Sequence, residues 1–256
     1  MSLLLTFIFL IIAGLVAGLL SSIAGLASLA SYPALLLVGL PPVLANVTNT
    51  TALIFSGIGS TVSSLKELHG HWKKVIIFTI LASCGSVAGS LLLLIAPASS
   101  FEKIVPFFIF TAGVLLLLSS RKKIGAPANS QLTKSFWVNL ISWVGVFLIG
   151  GYTGYFGAAG GVIFLAILSL ITDDSFAVIN AIKNVIAFAS NLIATLIFIF
   201  KTRIDWLMVI PLGFGLLIGG YLGPIIVRHV NIHLLRALIA LAAFGLAGYL
   251  FVTAYF

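Results

Sequence analysis

Carboxylates are scarce in this chain. Five Asp and Glu stand among 256 residues, against 13 Lys and Arg, and none lies clearly inside a long apolar run. That disfavours a cation carrier, because a cation held in a membrane wants an acidic partner. Only 7% of residues are charged and 61% are hydrophobic, with a mean hydropathy of +1.29. Apolar side chains so far exceed what one core could hide that a water-soluble domain is excluded. Cys84 is the single cysteine, so neither a disulfide framework nor a cysteine metal site can be built. The chain has no Gly-x-Ser-x-Gly, no His-Glu-x-x-His and no paired carboxylates in an apolar run, so nothing points to an enzyme, and no cofactor is implied. The alternation of a membrane β-barrel is missing too. Met1-Ser2-Leu3 lacks the basic start of a signal peptide, and the first apolar run therefore reads as a retained span.

What is present is a series of apolar runs of roughly 17–25 residues, the length a bilayer-spanning helix needs. The fold class is an all-α polytopic membrane protein. The net charge of +8 could suggest nucleic acid, but the basic residues lie in short loops, where they record orientation in the lipid bilayer, and no basic groove with interleaved aromatics can be drawn.

The first block, Leu3 to Val38, reads as a span to Leu20 and a shorter helix from about Leu26, separated by Ser21-Ser22 and Gly25. Gly39-Leu40-Pro41-Pro42 makes a turn. A helix from Val43 to Leu65 carries Asn46, Asn49, Thr50, Gly57, Ser60, Thr61 and Ser64 as a polar stripe. Spans over 75–95 and 104–118 follow, and then Arg121, Lys122, Lys123, Pro127 and Lys134 form the longest polar segment. This divides the chain into a first membrane repeat (1–120), a basic cytoplasmic linker (121–135) and a second membrane repeat (136–256).

The division rests on internal repetition. Asn46 and Asn180, Trp72 and Trp206, Gly85 and Gly219, and Gly89 and Gly223 are each 134 residues apart. The offset pairs Asn49 with Lys183 and Thr50 with Asn184; upstream it becomes 133, pairing Ser28 with Gly161. Each half then holds five helical elements, the second half's being 136–155, 160–171, 177–200, 207–227 and 234–253. The second element of each half is too short, at 1.5 Å per residue, to cross a core about 30 Å thick, so it should be broken or re-entrant. If all ten elements are crossings, the odd number per half makes the repeats inverted, with both uncharged termini outside and the linker inside, the preferred reading; if each short helix folds into its neighbour, the halves are parallel.

Glycines at 150, 151, 154, 157, 160 and 161 precede the second short helix. Irregular backbone of this kind is tolerated at membrane depth where protein or a water-filled cavity satisfies it, and a helix N-terminus there attracts anions. Paired repeats with interrupted helices point to a secondary transporter. The stretch from Asn180 to Thr195 places Asn180, Lys183, Asn184, Asn191 and Thr195 on one helical face. Lys183 has no charged residue nearer than Asp174 and Lys201. An ionisable group in such a run is a functional candidate, and its polar company argues against a lysine that merely snorkels to the headgroups.

The breaks Ser21-Ser22-Ile23-Ala24-Gly25 and Gly157-Ala158-Ala159-Gly160-Gly161, with Ala45-Asn46-Val47-Thr48-Asn49-Thr50 and Ile179-Asn180-Ala181-Ile182-Lys183-Asn184, resemble the TauE/SafE sulfite-exporter family over nearly the whole chain. The first half reads Leu26-Ala27-Ser28-Leu29 where that family carries a triple glycine. The resemblance implies a plasma-membrane transporter, an exporter of sulfite, thiosulfate, sulfonates or related small anions. The expected substrate-binding set is Lys183, Asn180, Asn184, Asn191, Asn46, Asn49, Thr50, Ser28, Gly160 and Gly161, with no metal. The alternative is a channel or cation-coupled permease for another small solute. Proton or sodium coupling and a homodimer stay open as expectations.

Other motifs have plainer readings. His229 and His233 have metal-ligand spacing but no acidic or cysteine partner, which favours interfacial packing; His69 and His71 lie in a charged loop. Asp173 and Asp174 precede a helix, where Asp caps. The sequons at Asn46 and Asn49 fall inside a span and are chance matches. The Gly85 and Gly219 pairs suit close helix packing within one subunit.

Overall fold

A computed structural model describes residues 2–121, 136–158, 160–172, 174–227 and 232–255, and every element among them is a helix. In order these are α1 (Leu3–Ala24), α2 (Ser28–Leu37), α3 (Pro42–Ser63), α4 (Leu65–Leu68), α5 (Trp72–Ile95), α6 (Ala98–Arg121), α7 (Phe136–Tyr155), α8 (Gly160–Ile171), α9 (Phe176–Lys201), α10 (Trp206–Val227) and α11 (Ile232–Tyr255). By length and composition α1, α5, α9 and α10 can each cross a membrane. The chain is thus an all-helical membrane protein with several apolar spans. Residues 122–135 of the expected linker, Asp173, Arg228 and His229 lie outside the described residues, while Arg121 ends α6.

Most boundaries fall within a few residues of the sequence reading. α1 continues past Leu20 to Ala24 because its serines do not break it: Ser22 turns its hydroxyl back on Gly18 O at 2.9 Å, satisfying itself within the helix. The stop comes at Gly25, whose φ of 71° is left-handed and whose N–H closes on Ser21 O at 2.7 Å. α7 stops the same way, at Gly157 with φ 73° and an N–H on Tyr152 O at 2.9 Å. α2 and α8 have 10 and 12 residues, about 15 and 18 Å at 1.5 Å per residue, so neither can cross the bilayer by itself.

Small residues set the packing. Gly14 abuts Leu212, Gly18 abuts Gly220, and Gly223 abuts Ser22, so α1 and α10 run side by side in the same direction. α7 and α5 do likewise, with Gly150 against Ala82 and Gly154 against Ser86. α3 also runs with α10: Thr48 Oγ1 accepts from Asp205 N at 3.2 Å, and further along Gly59 abuts Tyr221. α5 runs with α9, from the Lys74–Asp174 ion pair at 2.7 Å, which His71 flanks at 3.4 Å, to the Ser86 hydroxyl donating to Ser190 O at 2.7 Å. α3 and α9 cross in opposite senses, since Gly57 meets Phe188 while Thr48 meets Asp205, four residues past the end of α9. α6 and α11 are antiparallel, joined by Phe107–Phe251 and Phe110–Phe244 ring contacts at 5.8 and 5.2 Å. Each half thereby lends its first long helix to the other half.

Candidate functional site

The two breaks meet. A Cβ placed on Gly161 would overlap Gly25 Cα, and one on Gly25 would overlap Gly161, so the end of α1 and the start of α8 touch backbone to backbone. Only hydrogen fits between them. Their partial charges are opposite, because α1 presents carbonyls and α8 presents amides. α3 and α9 flank the junction and bury their polar stripes against it: Asn46, Asn49, Thr50, Asn180, Lys183, Asn184, Asn191 and Thr195 are all buried.

Lys183 is 1% exposed. Its ammonium donates to Ser21 O at 2.8 Å and to Ser22 O at 3.4 Å, the carbonyls that end α1. The fixed partners of this charge are therefore backbone carbonyls at the negative end of a helix, which sequence alone could not place. An ammonium has three donors, so these two bonds leave one. Beside it lies a cavity of about 40 Å³, shared by Lys183, Asn184, Asn191, Ser28 and Gly161 from the expected set. Asn184 Nδ2 and Thr153 Oγ1, both on residues lining it, are buried with no hydrogen-bond partner. Buried polar atoms of this kind are rare and call for a ligand or water.

Five expected residues do not line that cavity. Asn180 Nδ2 donates to Ser22 O at 2.9 Å, and Asn46 Nδ2 donates to Tyr155 O at 2.8 Å. Each bond ties a polar stripe to a carbonyl in the last turn of a long helix, α7 for Asn46 and α1 for Asn180. Asn49 stands one step back, donating to Ser28 Oγ at 3.1 Å, and the Thr50 hydroxyl returns to Asn46 O at 2.9 Å. Gly160 faces Thr153, with its N–H on Gly157 O at 3.1 Å. Conversely, Ser21, Ser60, Thr153 and Phe156 line the cavity without belonging to the expected set. Thr153 had one available signal, its place one turn before Gly157 on the helix that ends there.

The sequence model of the sulfite exporter TauE/SafE family matches residues 10–250. The chain belongs to that family. Its relatives carry transporter names: a probable membrane transporter protein, ORF9, of Sinorhizobium sp is 27% identical over 93% of this chain and 90% of its own. Another from Haemophilus influenzae is 28% identical over 90% of this chain and 89% of its own, and YunE of Bacillus subtilis is 24% identical over 88% and 90%. The family is thus one of membrane transporters, and the match spans both breaks and both polar stripes.

Proposed function

We propose that the protein is a secondary transporter that exports small sulfur-containing or organic anions, such as sulfite, thiosulfate or sulfonates, across the cell membrane. The observation that carries this is a buried ammonium at a small cavity with no carboxylate among the lining residues. An anion entering there meets Lys183, Gly161 in the first turn of α8 and the unpartnered Asn184 Nδ2. The cavity's volume, about 40 Å³, suits a compact solute, since one water takes about 10–15 Å³ on this measure.

Two inverted repeats, 1–120 and 136–256, joined by a cytoplasmic linker, are the proposed architecture. The helix registers support it: α1, α3 and α10 share one direction while α5, α7 and α9 share the other, so equivalent helices point oppositely. Alternating access would then rock one repeat against the other around the central cavity.

The test is flux into liposomes holding the purified protein, across a panel of sulfur oxyanions, carboxylates, sodium and potassium, with imposed proton or sodium gradients. Flux of a sulfur oxyanion or sulfonate is expected. Cation flux alone would replace this reading with a cation-selective permease or channel.

A further inference from the structure

Phe156 occupies the break between α7 and α8 and lines the central cavity. Its ring takes the edge of Tyr32 from α2, with centroids 5.2 Å apart and planes at 86°. Tyr32 is itself buried, yet it also walls a second cavity of about 190 Å³, bounded by Pro42, Glu102, Val105, Leu250 and Thr253. Phe156 thus lines one space, Tyr32 lines the other, and the two rings are in contact. The second cavity lies at the end of the bundle where α3 begins and α11 finishes, and Glu102 and Thr253 there are exposed.

We propose that Tyr32 and Phe156 form a gate between the central cavity and this outer chamber, through which the transported solute passes. Three observations carry the gate. The rings come from opposite halves of the chain, so a relative movement of the halves would act on their contact. Phe156 sits next to the left-handed Gly157, and Tyr32 is carried by a ten-residue helix, α2, with the left-handed glycines Gly25 and Gly39 beyond its two ends. The contact is edge-to-face, specific in geometry but weak enough to open on the microsecond-to-millisecond scale of collective motion. Phe101 and Phe108 back the closed pair, with centroids 5.6 and 6.2 Å from Phe156.

The gate rests on the central cavity being the transport site, but its test needs no substrate. In a Cys84→Ala background, Thr153→Cys places a thiol in the central cavity, where Thr153 Oγ1 has no hydrogen bond to lose. Thr253→Cys marks the outer chamber. A small membrane-impermeant thiol reagent is applied to each face of cell-derived vesicles. Thr253→Cys should react from one face, and from that face Thr153→Cys should react slowly. Adding Tyr32→Ala should speed the Thr153→Cys reaction from that face about tenfold or more, as expected when a gate open 0.1–10% of the time is removed. Tyr32→Phe, which keeps the ring, should not. Phe156→Leu carries the same expectation as Tyr32→Ala and serves if that variant does not accumulate. An unchanged rate in either variant, or acceleration only from the opposite face, overturns the gate; absence of anion flux with accelerated labelling would instead count against the transport reading.

Discussion

Lys183→Met separates the transport reading from a purely structural one. Methionine keeps the length and apolar stem of lysine while removing the charge. A lysine at a helix centre disfavours insertion by roughly 2.5–3.5 kcal/mol, and removing Lys183, about two turns into α9, recovers at most that much. Against this, each hydrogen bond from a charged donor is worth about 1.5–3 kcal/mol, and the bonds in question measure 2.8 and 3.4 Å, the second being weak. Neither carbonyl is orphaned by the change, because Ser21 O keeps the Gly25 amide at 2.7 Å and Ser22 O keeps Asn180 Nδ2 at 2.9 Å. Gain and loss nearly cancel, so the variant should insert, fold and melt within about 2 kcal/mol of the parent. Anion flux in proteoliposomes should fall at least about tenfold, equivalent to about 1.4 kcal/mol. Lys183→Arg, which retains charge with a different shape, should keep part of the flux. A Lys183→Met protein with parental melting and parental flux would refute the argument and leave the ammonium as a cap for α1.

Three further outcomes follow from the same contacts. Asn46→Ala withdraws the donor to Tyr155 O and should destabilise by about 1–3 kcal/mol; Asn180→Ala should do less, because Ser22 O also has Lys183 at 3.4 Å, and thermal melting of the two variants would expose equal losses. Gly161→Ala forces a methyl into Gly25 Cα and should lower stability by about 1–3 kcal/mol, as overpacking does; an unshifted melting curve would refute that contact. Gly161→Val would lose flux for the same steric reason, so it cannot test whether backbone amides hold the anion. Glu102→Gln removes an exposed carboxylate from the outer chamber and should raise anion flux at low ionic strength but not near 1 M salt, where screening reaches about 3 Å; a salt-independent effect would remove electrostatics as its cause.

The sequence by itself determined the solvent, the helices and the candidate face. Hydropathy demanded a bilayer, and a Gly-terminated run followed by a short apolar one demanded a break, because these are local properties of backbone and side chain. The 134-residue offset paired Asn46 with Asn180, and each of those two residues donates to a carbonyl in the last turn of a distant long helix. Periodicity also put Lys183 on one face with Asn184 and Asn191, which share its cavity. Only the tertiary structure decided which stripe residues face the cavity and which tie helix ends, because an asparagine on a buried face serves either role until its partner is known. It alone supplied Lys183's carbonyl partners, 161 and 162 residues away in sequence, and the contact of Gly25 with Gly161. Helical periodicity reports a residue's angle around its own axis; it carries no information about which carbonyl or ring a distant segment brings to that angle.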